Sequence, residues 1–498
     1  ETESGGYQRR LFANDAARGF AFIDLYRERY DVVVMNPPCG EASFLSRKYL
    51  ENDYSAHKTE LLACFVSKGL FALSERGLLG VLSSRTMLVH ATCEALRIEI
   101  GKRHGSLRLF ADLGYGVLDA AMVEAAAYII EHGRDVINRS VFISLLKDED
   151  KDHGLLFAVN QLQIGKRDNR TSICFLNSFN GLFRFPWAYW LPPELLACFS
   201  RFDHMEKQFA RVRVGSSTAD NFRFLRLSWE VERNSLGVNR ADTFHSRKWV
   251  ALAKGGEYWP LYDDIHLTIN WANDGVEVSR STGSTIRSPN DYFLGGCTYP
   301  YRTTSAFALR ALPEGAIFSD GGPAIIPQSG KNQDRWTLLC YCNTRIARYF
   351  LEVFLGEGDA VVSGSAARNY IPRAVGAVPI PDLSMSPFPD SSIKAWYHTA
   401  ISPWRENETT RVFASFVHKY SGTIKETSKN NYMTYLKGVE DALRASWTCE
   451  QKIAELFGLT NEALNLIRES CGCHPYEYHS KEVDSKKVVE LYELHINE

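Results

Sequence analysis

The sequence predicts an α/β fold class: an α/β sheet domain first, an irregular β-rich domain after it, and a helical C-terminal region. Three observations carry that prediction. The β-branched run Tyr30-Asp31-Val32-Val33-Val34-Met35 stops at Asn36-Pro37-Pro38, the pattern of a buried parallel strand ending in a loop. Over residues 1–135 such runs alternate with helical spacing, as in a doubly wound sheet. From residue 206 the texture changes to short strand-like runs with many glycines and aromatics, and beyond residue 390 to helical periodicity.

Taken in order, Thr59 to Leu73 follows the first strand with apolar residues at helical spacing, and Ser74-Glu75-Arg76-Gly77 closes that helix. Leu78 to Leu82 is the second expected strand and Leu107 to Leu113 the third. Residues 136–205 are less regular and read as a connector, with Phe183-Arg184-Phe185-Pro186-Trp187-Ala188-Tyr189-Trp190 packed on a neighbouring domain. The β-rich domain is expected over 206–383, with one helix from Leu338 to Leu355. Val378-Pro379-Ile380-Pro381 and Ser386-Pro387-Phe388-Pro389 mark its end. In the helical region, 384–498, Ala442 to Leu456 is the clearest amphipathic segment.

Composition narrows the function classes. The 498 residues, 45% hydrophobic and 23% charged, suit a soluble protein of about three domains. Lys and Arg number 57 against 59 Asp and Glu, a net charge of -2, which argues against a wholly basic histone-like protein. Nucleic-acid binding confined to one face stays open. No run approaches the roughly 18 apolar residues of a membrane span, and a membrane partner is not expected. Eleven cysteines at irregular spacings do not form a disulfide framework and point to a reducing cytoplasm. Cys471-Gly472-Cys473-His474 with His479 is the one cluster of metal character, but it has no second ligand pair, so no metal is expected.

The chemistry concentrates in Asp31 to Gly40, DVVVMNPPCG. A loop directly after a parallel strand lies at the carboxyl edge of the sheet, where α/β proteins put ligands. Two prolines fix φ and remove two amide donors, leaving outward carbonyl oxygens. With the Asn36 side chain beside them, the pocket is rich in acceptors and suits an exocyclic amine that loses a proton after attacking a methyl group.

This segment resembles the Asn/Asp/Ser-Pro-Pro-aromatic signature of the amino-methylating DNA methyltransferases. The resemblance implies a Rossmann-like methyltransferase sheet, S-adenosylmethionine as methyl donor, and a target base flipped from the duplex. It makes Asn36 and Pro37 the acceptors for the target amine, with Pro38 shaping the loop. Cys39 stands where the family has an aromatic that stacks on the base, a contact worth about 1–3 kcal/mol. Another aromatic then covers the base, or the activity is weak, or the site has lost its chemistry. Asp15 stands where the family carries an acidic contact to the cofactor's adenine; its plain reading is a loop or helix-cap residue. Asp15 and Asn36 are thus the expected cofactor contacts.

Downstream, Leu78 to Arg85 and Asp112 to Asp119 with Ala120 to Glu124 resemble later family blocks. Asp112-x-Gly-x-Gly imitates a cofactor loop, but only 14 residues separate Gly116 from Glu131, too few for the helix, strand and turn such a loop needs. Gly114 and Gly116 therefore read as turn glycines. With no other glycine fingerprint and no initiating Met, the cofactor's main binding half is expected upstream of Glu1.

The segment 201–254 carries 11 Lys/Arg against 6 Asp/Glu, a local basic excess. Within it Gly215-Ser216-Ser217-Thr218-Ala219-Asp220-Asn221-Phe222-Arg223-Phe224 resembles the entry to the target-recognition domain of fused methyltransferases. The resemblance runs over residues 7–383 and is greatest to the large adenine methyltransferases of BREX and DISARM phage defence, relatives of type IIG restriction-modification enzymes. It implies site-specific adenine-N6 methylation, with double-stranded DNA and other defence-system subunits as partners. Thr218, Arg223, Lys254, Gly255 and Arg302 are the expected DNA contacts, glycines allowing close approach to phosphates and polar loops reading base edges. No nuclease motif of the PD-(D/E)xK kind has convincing context. A recognition subunit that has lost its chemistry, and an RNA- or protein-directed methyltransferase, are the alternatives.

Overall fold

A computed structural model describes residues 15–21, 23–25, 27–101, 105–117, 124–133, 139–355, 368–383, 397–398, 400–401, 426 and 445–471. The chain divides into two units, Glu1–Leu191 and Pro192–Glu498.

The first unit runs β1 (Tyr30–Met35), α1 (Phe44–Asp53), α2 (Leu61–Phe71), β2 (Leu73–Ser84), α3 (Glu94–Glu99), β3 (Gly105–Gly114), β4 (Ala125–His132), β5 (Arg139–Ser144), α4 (Lys151–Gln163) and β6 (Thr171–Phe175). Its six strands form one sheet in the order β1-β2-β4-β3-β5-β6. The sheet is mixed rather than parallel throughout. β1 is parallel to β2 and β3 to β5, whereas β4 runs antiparallel between β2 and β3, and β6 antiparallel to β5.

Several expectations change here. β1 pairs with β2 alone among the described residues, and in this chain Val32 and Val34 are 60% and 80% exposed. A run of valines records β-propensity but not how many neighbours the strand has. The expected turn after α2 is a bulge within β2. Pairing jumps from Tyr30–Leu73 to Val32–Leu78, Arg76 is left-handed at φ 62°, and a Cβ at Gly77 would stand 2.9 Å from the Tyr30 carbonyl oxygen.

Residues 139–175 supply β5, α4 and β6 to this sheet rather than bridging two domains. The aromatic stretch after them belongs to the same core: Trp187 packs edge-on against Phe110, and Tyr189 stacks on Phe142. Both aromatics are buried, and such rings dominate core energetics.

The second unit begins with α5 (Pro193–Arg201) and is then built from short strands. β8 (Leu225–Leu227), β9 (Leu236–Gly237), β10 (Trp249–Ala253), β11 (Leu267–Asn270) and β15 (Ala316–Phe318) form one sheet. β7 (Ala210–Arg213), β12 (Gly296–Thr298), β14 (Arg310–Leu312) and β16 (Ala324–Pro327) form a second, and β13 (Arg302–Thr303) pairs with β17 (Arg368–Asn369). Phe224, Val250, Leu252, Trp271, Ile317 and Phe318 pack in its core.

The single helix expected from Leu338 to Leu355 is two, α6 (Asn332–Cys342) and α7 (Arg345–Leu355). Asn343 interrupts them because its buried side chain serves another segment: its amide oxygen accepts the Leu309 N–H at 3.0 Å and its NH2 donates to the Leu309 carbonyl at 2.9 Å. Val378-Pro379-Ile380 is threaded into the unit rather than forming an open linker, with Met205 N–H donating to the Val378 carbonyl and Ile380 N–H to that of Asp203. Residues 386–389 lie outside the described residues.

Residues 445–457 are helical, followed by α8 (Asn461–Cys471). Ser446, Cys449, Glu450, Ile453 and Phe457 bury one face of the first helix, which is the expected amphipathic spacing. Glu450, fully buried, accepts Arg345 Nη2 at 2.9 Å and Arg468 Nε at 3.3 Å. Cys473, His474 and His479 lie outside the described residues. Among the described residues no helix is long and apolar enough to cross a membrane.

Candidate active site

The strand register places the motif. Met35 pairs with Val81, so the chain leaves β1 at Asn36 on the side where β2 ends at Ser84. Ser84 and Gly114 both pair with Ala125, from opposite sides of β4. The Asn36 loop, Arg85 and the turn after β3 therefore leave the sheet from one edge, the carboxyl edge of its parallel strands.

Asn36, Pro38 and Cys39 are exposed and Pro37 is buried. The Asn36 side chain makes no hydrogen bond among the described residues, leaving its amide oxygen and NH2 available. The loop is held at its exit. Gly40 takes φ +99°, a conformation open to glycine, and its N–H donates to Glu60 Oε1 at 2.7 Å. The Leu61 N–H donates back to the Gly40 carbonyl at 2.9 Å. Glu60 precedes α2 directly, and its other oxygen accepts the Thr92 hydroxyl at 3.3 Å. One carboxylate thus ties the motif loop to the helix start and to the loop after β2.

Beneath this edge lies a buried charge network. Arg85 Nε and Nη2 donate to the two oxygens of Asp112 at 2.8 Å each, and the Tyr189 hydroxyl donates to Asp112 Oδ2 at 2.8 Å. Asp112 has no exposure. Burial works against the Arg85 charge, but the paired Asp112 carboxylate outweighs it and raises the guanidinium above its ordinary value. Burial, with Asp112 beside it, raises the Tyr189 phenol as well.

A second arginine, Arg97, is fully buried and meets only carbonyl oxygens: those of Phe185, Met87, His90, Val89 and Arg184, at 2.9–3.4 Å. Burial pulls its pKa down to about 10, so it stays a cation at neutral pH. Sequence reasoning missed both arginines, Glu60 and Tyr189. An aspartate closing an otherwise apolar strand, Leu109-Phe110-Ala111-Asp112, was the available signal for the network.

Cys39 is exposed, whereas Tyr128 and Cys93 are buried. Tyr128 accepts the Ser83 hydroxyl at 3.2 Å and stacks on Phe110 with an interplanar angle of 3°, so its ring is committed to the core. Exposed aromatics of this unit include Phe44, just after the motif, and Tyr115, between the turn glycines. Gly114 and Gly116 both have positive φ, as turn glycines require. Asp15 is exposed at the start of the helical residues 15–21.

In the second unit a cavity of about 230 Å³ is lined by Ser217, Thr218, Asn221, Lys254, Ser319 and Asp320 among others. Of the five expected DNA contacts it brings together Thr218 and Lys254. Both side chains donate to Asn221 Oδ1, at 2.8 and 2.6 Å. Arg223 instead pairs with Glu277 at 2.7 Å on the exposed surface, and Arg302 is exposed on β13. Gly255 has a packing reason for its identity: a Cβ there would stand 2.6 Å from the Gly321 carbonyl oxygen.

Residues 5–105 match the model of the Eco57I restriction-modification methylase family. The chain is 25% identical over 335 residues to the adenine-specific methyltransferase BrxX of Escherichia coli O9:H4 (strain HS), covering 65% of this chain and 26% of that protein. It is 23% identical over 379 residues to the adenine-specific methyltransferase PglX of Lacticaseibacillus casei (strain Zhang), covering 70% and 30%. The chain thus spans less than a third of the length of these relatives. Among solved structures it is similar to the type IIL restriction-modification enzyme MmeI in complex with DNA, at 10% identity over 90% of this chain and 57% of that one, with a TM-score of 0.45, too distant to bear on the site.

Proposed function

We propose that the chain carries the amine-presenting half of a site-specific DNA adenine-N6 methyltransferase, together with its target-recognition region, in bacterial anti-phage defence or restriction-modification. The observation that carries this is the unpartnered Asn36 beside Pro37 and Pro38, on a loop pinned by Glu60 at the carboxyl edge of the sheet. The similarity to two adenine-specific methyltransferases and to the methylase family over residues 5–105 supports it.

In this reading the target amine is the nucleophile. Asn36 Oδ1 and the Pro37 carbonyl accept its two N–H bonds and offset the positive charge that builds on nitrogen as the new N–C bond forms. The surplus proton then leaves the product amine for this acceptor-rich edge and for water. S-adenosylmethionine supplies the methyl group as a sulfonium and leaves as the neutral thioether. The free amide of Asn36 and the exposed carboxylate of Asp15 suit the polar groups of that cofactor. No covalent enzyme intermediate is needed, so Cys39 is not a nucleophile. Thr218, Arg223, Lys254, Gly255 and Arg302, within the β-rich region 206–383, are assigned to double-stranded DNA. Other defence-system subunits are the proposed further partners, and the cytoplasm the proposed setting.

The test is transfer of a labelled methyl group to duplex DNA by the full-length protein. Transfer that Asn36→Ala abolishes supports the reading, and a full-length protein that transfers none removes it. One observation favours a second reading, a recognition subunit without chemistry: Cys39 is exposed where a stacking ring is expected. DNA binding without transfer identifies that case.

A further inference from the structure

We propose that the cavity between residues 216–221, Lys254 and Ser319–Asp320 reads the edge of one base, an edge presenting a ring-nitrogen acceptor beside an exocyclic amine, rather than holding a backbone phosphate. The proposal rests on the DNA-recognition reading above and deepens it.

The cavity's charges balance. It holds one ammonium, Lys254, and one carboxylate, Asp320. A phosphate at Lys254 would also face the carboxylate, and an anion site does not carry that repulsion. A lysine donor beside an aspartate acceptor matches the reverse pattern on a base. Adenine offers N7 as acceptor and N6–H2 as donor in the major groove.

The polar groups are already arranged for a ligand. Asn221 Oδ1 receives both Thr218 and Lys254, which fixes the ammonium and leaves the Asn221 NH2 as a further donor. Asp320 Oδ1 accepts the Gly321 N–H at 2.9 Å, which sets the carboxylate's orientation and leaves its second oxygen as acceptor. Ser319 is 3% exposed and its hydroxyl has no partner, a buried polar group whose cost a bound base edge would relieve.

Three chain segments are fixed to one another by backbone bonds. The Ser216 N–H donates to the Phe318 carbonyl, the Asp320 N–H to that of Ser216, and the Ser319 N–H to that of Ala253. Ala219, on the cavity wall, is left-handed at φ +55°, a costly conformation for a residue with a Cβ. The neighbouring Phe222 is 96% exposed, so its ring does nothing for the core and is open to stack on a base.

The experiment uses full-length protein and a panel of duplexes carrying each single base-pair change in its methylation site. For Lys254→Met and Asp320→Asn, discrimination at one position of the site should fall about 5- to 150-fold while the other positions keep theirs. Ser319→Ala, which removes only the unpartnered hydroxyl, should fold as the parent does and relax the same position. Uniform weakening on every sequence, with the salt slope of Lys254→Met lower by about 0.9, overturns the proposal in favour of a phosphate contact. So does relaxation at a G·C pair, whose major-groove edge sets the N7 acceptor beside a carbonyl oxygen rather than an amine. A parent protein that binds no DNA overturns the recognition reading itself, an outcome distinct from the others.

Discussion

At the motif edge of the first unit, five consecutive residues from Asn36 to Gly40 present the polar atoms, Glu60 holds the loop, and the Arg85–Asp112–Tyr189 network lies at the same sheet edge. In the Lys254 cavity of the second unit the polar atoms come from three separated segments, near 218, 254 and 320, and are themselves the lining. The first region is a short contiguous motif on a charged foundation: Arg85, Asp112 and Tyr189 carry no ligand but fix the strand ends. The second is a convergence of turns held by backbone bonds, with paired side chains at its surface. The difference teaches that amine presentation depends on what lies under the loop, whereas the character of the recognition cavity depends on what lies within it.

The largest effect should come from the foundation. Asp112→Ala leaves the Tyr189 hydroxyl without its acceptor and Arg85 with only Glu124, at 3.5 Å, and should cost about 3–5 kcal/mol of stability. Thermal unfolding checks it: a unit of this size should lose roughly 6–20 °C in Tm. A loss under about 1 kcal/mol would break the comparison, because the network would then be no foundation. Asn36→Ala should lower the rate of methyl transfer by the full-length enzyme about 10²- to 10³-fold, the effect of losing one preorganised group opposite developing charge, with Tm unchanged.

Cys39→Tyr sharpens the same region by adding the missing ring. Transfer at limiting DNA should rise about 5- to 100-fold, the worth of one stacking contact; no rise means that another aromatic already covers the base. In the second region, Arg223→Ala should change stability by under about 1 kcal/mol, because its pairing with Glu277 is exposed. Urea unfolding is the measurement.

The smallest effect expected is pH dependence at His90. Burial holds its pKa below the ordinary histidine value. The folded state therefore binds fewer protons than the unfolded state, and stability declines as the pH falls through about 6.5. Chemical denaturation at pH 7.5 and 5.5 should show a smaller difference for His90→Gln than for the parent.

The sequence made the motif legible because its atoms are contiguous and its prolines are unmistakable. It also gave Gly114 and Gly116 as turn glycines, which their positive φ bears out. What it concealed was long-range. Nothing near Asp112 announces a partner 77 residues away at Tyr189, and nothing in Phe183 to Trp190 distinguishes a linker packed elsewhere from the core of its own sheet. Local basic charge and resemblance single out Thr218 and Lys254, while Ser319 and Asp320 join them in one cavity only by folding. The hold of Glu60 on Gly40 follows from a loop geometry that no local pattern encodes.

The carbonyl-lined Arg97 has a consequence for the order of synthesis. Its guanidinium reaches the Phe185 carbonyl 88 residues further along the chain, and Asp112 waits for Tyr189 in the same way. The loop at Asn36 is made well before the aromatic stretch, yet its edge gains its last partner only after residue 189 has been made. At typical elongation speeds that is an interval of roughly 10–30 s. During it Arg97 lacks the Arg184 and Phe185 carbonyls, and Asp112 lacks the Tyr189 hydroxyl. Chaperone occupancy on ribosome-bound chains should therefore be greatest before the aromatic stretch emerges and fall once it has.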